Sequence, residues 1–236
     1  MIIPCIDLMA GKVVQLVQGR DKALEADSLA AMLDQFSPFA EIQVIDLDAA
    51  LGNGSNDALV EQAAARSKAR VGGGVRSPDR ARTLVVQGAH RVIVGTAAFS
   101  ETGVRHDFLA SIAAAIGRER LIVALDSKDG KIMVKGWREA TRLTAEQVLG
   151  ELSPHCAGFL CTYVDKEGMM QGTDLAWFER LRAATDLEIT AAGGITTLDD
   201  VRALLAMNVH AAIGMAVYTG RLNLLELASI NSGARK

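Results

Sequence analysis

Short runs of apolar, often β-branched residues recur along the chain, separated by longer stretches whose apolar side chains return every three or four positions. The short runs predict strands at Ile2–Asp7, Ile42–Leu47, Arg70–Gly72, Arg91–Gly95, Leu121–Asp126, Gly158–Tyr163, Glu188–Ala191 and Ala211–Gly214. The longer stretches predict helices at Asp27–Phe36, Asp57–Arg66, Pro78–Val86, Asp107–Ile116, Ala145–Leu152, Asp174–Ala184, Leu198–Met207 and Leu222–Ala228. Strict alternation of the two element types predicts a parallel sheet with helices outside it. A closed barrel takes about 250 residues, and this chain has 236. The predicted architecture is therefore a single (βα)8 TIM barrel of the α/β class. Local chemistry supports two helix starts: Ser77 before Pro78 reads as N-cap and first helical residue, and Thr197 has Asp200 three positions on.

No linker or low-complexity tract interrupts the pattern, so residues 1–230 are read as one barrel and 231–236 as a frayed C-terminal tail. Half the residues are hydrophobic but only 4% are aromatic, which leaves aliphatic side chains to fill the core. A net charge of −3 excludes a globally basic surface for nucleic acid or an anionic membrane, so an anionic ligand must be held locally. The start MIIPCIDLM lacks the charge and apolar stretch of a signal peptide, and no apolar run reaches membrane-spanning length. Cys5, Cys156 and Cys161 form no CxxC and suit a reducing cytoplasm as small buried residues. A cytoplasmic monomer is the expectation.

The chain also repeats itself. Asp7–Val14 (DLMAGKVV) matches Asp126–Met133 (DSKDGKIM) at an offset of 119 residues. Val71–Leu84 matches Ala191–Leu204 at an offset of 120, and Val94–Phe99 matches Ile213–Tyr218 at 119. Three matches in one order at nearly one spacing predict two duplicated half-barrels. The duplication places Asp7 and Asp126 on opposite sides of the barrel, each closing a strand.

Strand C-terminal ends face the active site in this fold, and a charge ending a buried strand is costly unless solvated, paired or used. One such aspartate is as readily a helix cap as a catalyst. A symmetric pair favours catalysis, with one carboxyl donating a proton and the other carboxylate removing one. The glycines repeat as well: Gly73 and Gly74 after the third strand and Gly95-Thr96 after the fourth correspond to Gly193, Gly194 and Gly214 after the seventh and eighth. Glycine turns leading into helix N-termini suit phosphate. Two related cradles across one barrel mouth predict an elongated ligand with a phosphate at each end. Arg76 is a further phosphate candidate and Thr162 a substrate hydrogen-bonding candidate. Trp137, in an exposed loop after the hairpin Lys131–Lys135, is suited to stack on a flat heterocycle or to pack as a lid. Asp46 and Asp48 admit structural and direct roles equally, and His90 and His210 precede strands and read as structural. His106 and His155 show no ligand spacing, Walker and Rossmann patterns are missing, and neither a metal site nor a cofactor is predicted.

The segments IIPCIDL, GKVVQLVQG, VGGGVRS, VIVGTAA, ALDSKDGK, KGW, CTYVDKEGMMQG and AAGGI, in this order over nearly the whole chain, resemble the histidine-biosynthesis isomerases. Those enzymes act on phosphoribosylformimino-5-aminoimidazole carboxamide ribotide (ProFAR), a bisphosphorylated ribotide. The resemblance implies an Amadori rearrangement of an aminoaldose to an aminoketose, with Asp7 as general base, Asp126 as general acid and no cofactor. It adds Gly19, in the QG of the first loop, to the binding residues. Departures fall in the loops: Arg20 follows the first-loop QG, Tyr163 replaces an aspartate, the usual (R/K)DGT is KEGM with Glu167 and Met169, and Met215 replaces a basic residue. Three other readings share the same motifs: the cyclase subunit of imidazole glycerol phosphate synthase, an isomerase that also takes phosphoribosylanthranilate, and a non-catalytic phosphosugar-binding barrel.

Overall fold

A computed structural model describes residues 1–17, 21–26, 28–100, 103–169 and 172–233; Gly19 and Arg20 lie outside them. Eight parallel strands form the barrel: β1 Ile2–Met9, β2 Ile42–Asp46, β3 Ala69–Gly72, β4 Arg91–Val94, β5 Leu121–Lys128, β6 Gly158–Tyr163, β7 Glu188–Ala192 and β8 His210–Ile213. Each pairs with its sequence neighbours, β4 meets β5 through Val92↔Leu121, and β8 meets β1 through Ile2↔Ala211, which closes the ring. The outer helices are α1 Leu29–Phe36, α2 Asp57–Arg66, α3 Pro78–Val86, α4 His106–Ile116, α5 Ala145–Leu152, α6 Leu175–Ala184, α7 Leu198–Ala206 and α8 Leu224–Gly233.

The two-residue period of a strand sorts side chains between two layers. On β5, Leu121, Val123 and Leu125 join the large core between strands and helices, whereas Ile122 and Ala124 fill the barrel axis. On β1, Ile6 and Leu8 pack outward and Cys5 inward. The same parity carries Asp7 and Asp126 to the inside, at the open C-terminal end.

The twofold repeat is visible in local geometry. Both β1 and β5 continue past their predicted ends, because each turns into an antiparallel hairpin: Met9 pairs with Lys12, and Lys128 with Lys131. The turn residues Ala10-Gly11 have φ of 52° and 74°, and Asp129-Gly130 have 48° and 73°, the left-handed pair of a tight hairpin turn. Gly95 and Gly214 match as well, with φ/ψ of −103°/−112° and −110°/−97° before the short helices Thr96–Ala98 and Met215–Tyr218. Both expected helix starts are present: Ser77 accepts the Arg80 N–H, and Thr197 and Asp200 form a reciprocal capping box. At the C-terminus the helix runs to Gly233, past the expected start of the tail at Asn231. Asn231 is buried, and its Oδ1 accepts the Ile2 N–H at 3.0 Å, tying the last helix to the first strand.

The opposite end of the barrel is closed by charge. Arg70 is 1% exposed; it donates to Glu41 at 2.5 Å, and across the barrel to Glu188 at 2.6 Å and Thr190 at 3.0 Å. Arg91 holds the other Glu188 oxygen at 2.8 Å, His210 lies 3.5 Å from the oxygen that Arg70 holds, and His90 lies 3.9 Å from Glu41. These histidines sit on the face that stabilises the barrel, away from its mouth. The three cysteines are buried.

Candidate active site

β1 and β5 stand four strands apart in either direction round an eight-strand ring, so Asp7 and Asp126 face each other across the mouth. Both line one cavity of about 290 Å3, together with Gly73, Gly74, Arg76, Gly95, Thr96, Trp137, Thr162, Gly193, Gly194 and Gly214. Each predicted site residue within the described part of the chain reaches this space; Gly19 is not among the described residues.

Burial pushes the Asp7 carboxyl up to about 7. Asp126 is also raised by burial, but hydrogen bonds from Thr162 and Trp137 to its carboxylate pull the other way. The opposed aspartates therefore sit in different surroundings, the condition for dividing acid and base roles. In sequence, Glu167 stands out only as a departure from the (R/K)DGT pattern. It is a third carboxyl in the cavity, pushed up to about 7 by burial and by the charges of Asp7 and Asp126. Cys5, Gln15 and Gln43 also line the space. Inward parity on β1 and β2 is the signal that finds Cys5 and Gln43; Gln15 comes from the hairpin strand Lys12–Val17 paired with β1, and Glu167 from the segment after β6.

The glycine turns lie close to neighbouring backbone. A Cβ on Gly73 (φ 106°) would stand 2.1 Å from the Asp46 carbonyl oxygen, and one on Gly193 (φ 91°) would stand 2.4 Å from that of Tyr163. Only a residue without a side chain fits, so main chain forms each wall. Each paired-glycine turn leads into a capped helix: at α3 Ser77 accepts the Arg80 N–H, and at α7 Thr197 accepts the Asp200 N–H while Asp200 accepts the Thr196 and Thr197 N–H groups. The same glycine turn leading into a capped helix thus occurs once in each half-barrel.

Other candidates fall into supporting places. Arg76 borders the cavity while its guanidinium donates to the Ala49 and Ala50 carbonyls at 3.1 and 2.6 Å. Asp46 caps the short helix Leu47–Leu51 through the Ala49 N–H and accepts from Asn56, so its role is structural. Asp48 accepts the Ala10 N–H at 2.6 Å and steadies the first hairpin. Trp137 was expected to be exposed; it is half-buried, because its indole N–H donates to Asp126 Oδ2 at 2.9 Å. Among the described residues, no group of three or more His, Cys, Asp or Glu side chains could hold a metal ion.

Comparison with known proteins agrees with this geometry. The family described as "Histidine biosynthesis protein" matches residues 1–223. A Myxococcus xanthus protein is 38% identical over 235 residues, covering 96% of this chain and 97% of the relative. A Gemmatimonas aurantiaca protein is 37% identical over 96% of this chain and 97% of its own length. One from Methanocaldococcus jannaschii is 35% identical over 98% of both. Each of the three is named a 1-(5-phosphoribosyl)-5-((5-phosphoribosylamino)methylideneamino)imidazole-4-carboxamide isomerase. With a closed barrel, twin glycine turns and a matched aspartate pair, and with relatives alike from end to end, this chain belongs to the histidine biosynthesis protein family.

Proposed function

We propose that the barrel isomerises ProFAR by an Amadori rearrangement, with Asp126 as general acid and Asp7 as general base. The substrate is a phosphoribosyl compound, and its two phosphates span the mouth between the Gly73/Gly74/Gly95/Thr96 cradle and the Gly193/Gly194/Gly214 cradle. Gly19 is assigned to the same binding set by its place in the first-loop motif. Asp126 gives its proton to the furanose ring oxygen. The C1–O bond breaks and the amine nitrogen's electron pair forms a protonated Schiff base. Asp7 then takes the C2 proton, and the C–H electrons flow to the iminium, leaving an enolamine that tautomerises to the aminoketose. The iminium is itself the electron sink, so the reading requires no cofactor. Thr162 orients Asp126, and Arg76 flanks the cradle in its own half.

The observation that carries this reading is the placement of two repeat-related carboxyls, differently solvated and hydrogen-bonded, on opposite walls of one cavity. That arrangement suits a proton shuttle along a substrate and has no use in a purely binding barrel. The reading is of a cytoplasmic monomer without nucleic-acid or membrane partners; among the described residues no helix is long and apolar enough to cross a membrane.

Steady-state kinetics on ProFAR and phosphoribosylanthranilate side by side test the proposal. Turnover of ProFAR is expected. Turnover of both would make the enzyme dual-substrate, and turnover of neither would favour the cyclase or binding-protein readings.

A further inference from the structure

Trp137 stands where it can govern the acid. Its indole Nε1–H donates to Asp126 Oδ2 at 2.9 Å, so one carboxylate oxygen of the proposed proton donor is covered by a hydrogen-bond donor. A donor on that oxygen favours the ionised carboxylate, which has no proton to give. The backbone that puts the indole there is unusual. Lys135, Gly136 and Trp137 are consecutive left-handed residues, with φ of 54°, 65° and 64°. Such a conformation is uncommon for residues with side chains and persists only when the surroundings hold it. Here the Lys135 N–H donates to Thr96 Oγ1 at 2.9 Å. The segment is thus moored to the anion cradle of one half-barrel while its tryptophan reaches the aspartate of the other.

We propose that Trp137 is a positioning residue that latches Asp126 in its ionised form in the unliganded barrel, and that substrate must lift the indole away before Asp126 can carry its proton. This rests on the reading of Asp126 as the acid. Titratable groups near Asp126 are Cys161 on the same sheet and Glu167 from the segment after β6, with Asp7 facing Glu167 from β1. Thr162 gives Asp126 a second hydrogen bond. Removing the indole N–H alone leaves all of these in place.

The chain has two tryptophans, so the indole N–H resonances of Trp137 and Trp177 are assigned by one substitution. In ligand-free wild-type protein the Trp137 resonance is expected to shift with pH along one titration that Asp126→Asn abolishes. In Trp137→Phe, the 13C-carboxyl midpoint of Asp126 should rise by about half to one pH unit. The alkaline limb of kcat/KM for ProFAR, which reports the free enzyme, should rise with it, and that of kcat should move less. A Trp137 resonance indifferent to pH would overturn the latch even if Trp137→Phe failed to fold. So would an unmoved Asp126 midpoint accompanied only by a higher KM, which is the mark of packing against substrate. Because the resonance and midpoint need no turnover, they separate this proposal from the assignment of the acid, which the activity of Asp126→Asn tests.

Discussion

Asp7, Asp126 and Glu167 share a cavity lined as well by apolar side chains, glutamines, threonines, Cys5, Trp137 and glycine backbone, with Arg76 at the edge committed to two carbonyls. Burial raises all three carboxyls, and the charges of Asp7 and Asp126 raise Glu167 further. The sign of the pH dependence follows. A base must be ionised, and Asp7 binds its proton up to about 7, so activity should fall as pH drops through about 7. Glu167→Gln removes a negative neighbour, making Asp7 easier to ionise. The acidic limb of the kcat/KM profile should therefore move to lower pH, by roughly half to one unit. A limb that stays in place would mean that Asp7 does not sense Glu167.

At the scale of elements, two-residue periodicity does most of the work. It sends Cys5 and Asp7 inward on β1, and Ile122, Ala124 and Asp126 inward on β5. That much could be read from the chain, because a buried parallel strand is a short apolar run and a repeat exposes its partner. The glycine pairs were legible for the same reason. Their necessity is steric, and it predicts that Gly73→Ala and Gly193→Ala each cost about 3 kcal/mol or more, or displace the opposing carbonyl. Denaturant unfolding would show this as an early midpoint; wild-type stability in either variant would contradict the close approach. What could not be read is what loops fold back to touch. Trp137 lies 11 residues beyond Asp126, yet its place over the carboxylate depends on three left-handed residues moored at Thr96. The burial of Glu167 has no periodic signature either, and Asn231 reads as tail because one polar residue near a terminus does not announce its hydrogen bond to the first strand.

Across the whole molecule, stability and chemistry occupy opposite ends of one barrel. At the closed end, Arg70 on β3 bridges Glu41 and Glu188, which lie 147 residues apart in sequence, so no local pattern reveals it. Breaking one partner of a buried ion network leaves charge stranded. Arg70→Met should therefore cost roughly 3 kcal/mol of stability and leave kcat/KM for ProFAR nearly unchanged, as thermal melts and kinetics would show together. The open end carries the central claim: two aspartates, supplied by two copies of one half-barrel, move protons to and from one substrate. Turnover of ProFAR by Asp7→Asn and Asp126→Asn, with circular dichroism confirming the fold, tests it most directly. The account predicts losses of about 10²-fold or more in both variants; near-wild-type turnover in either would contradict it.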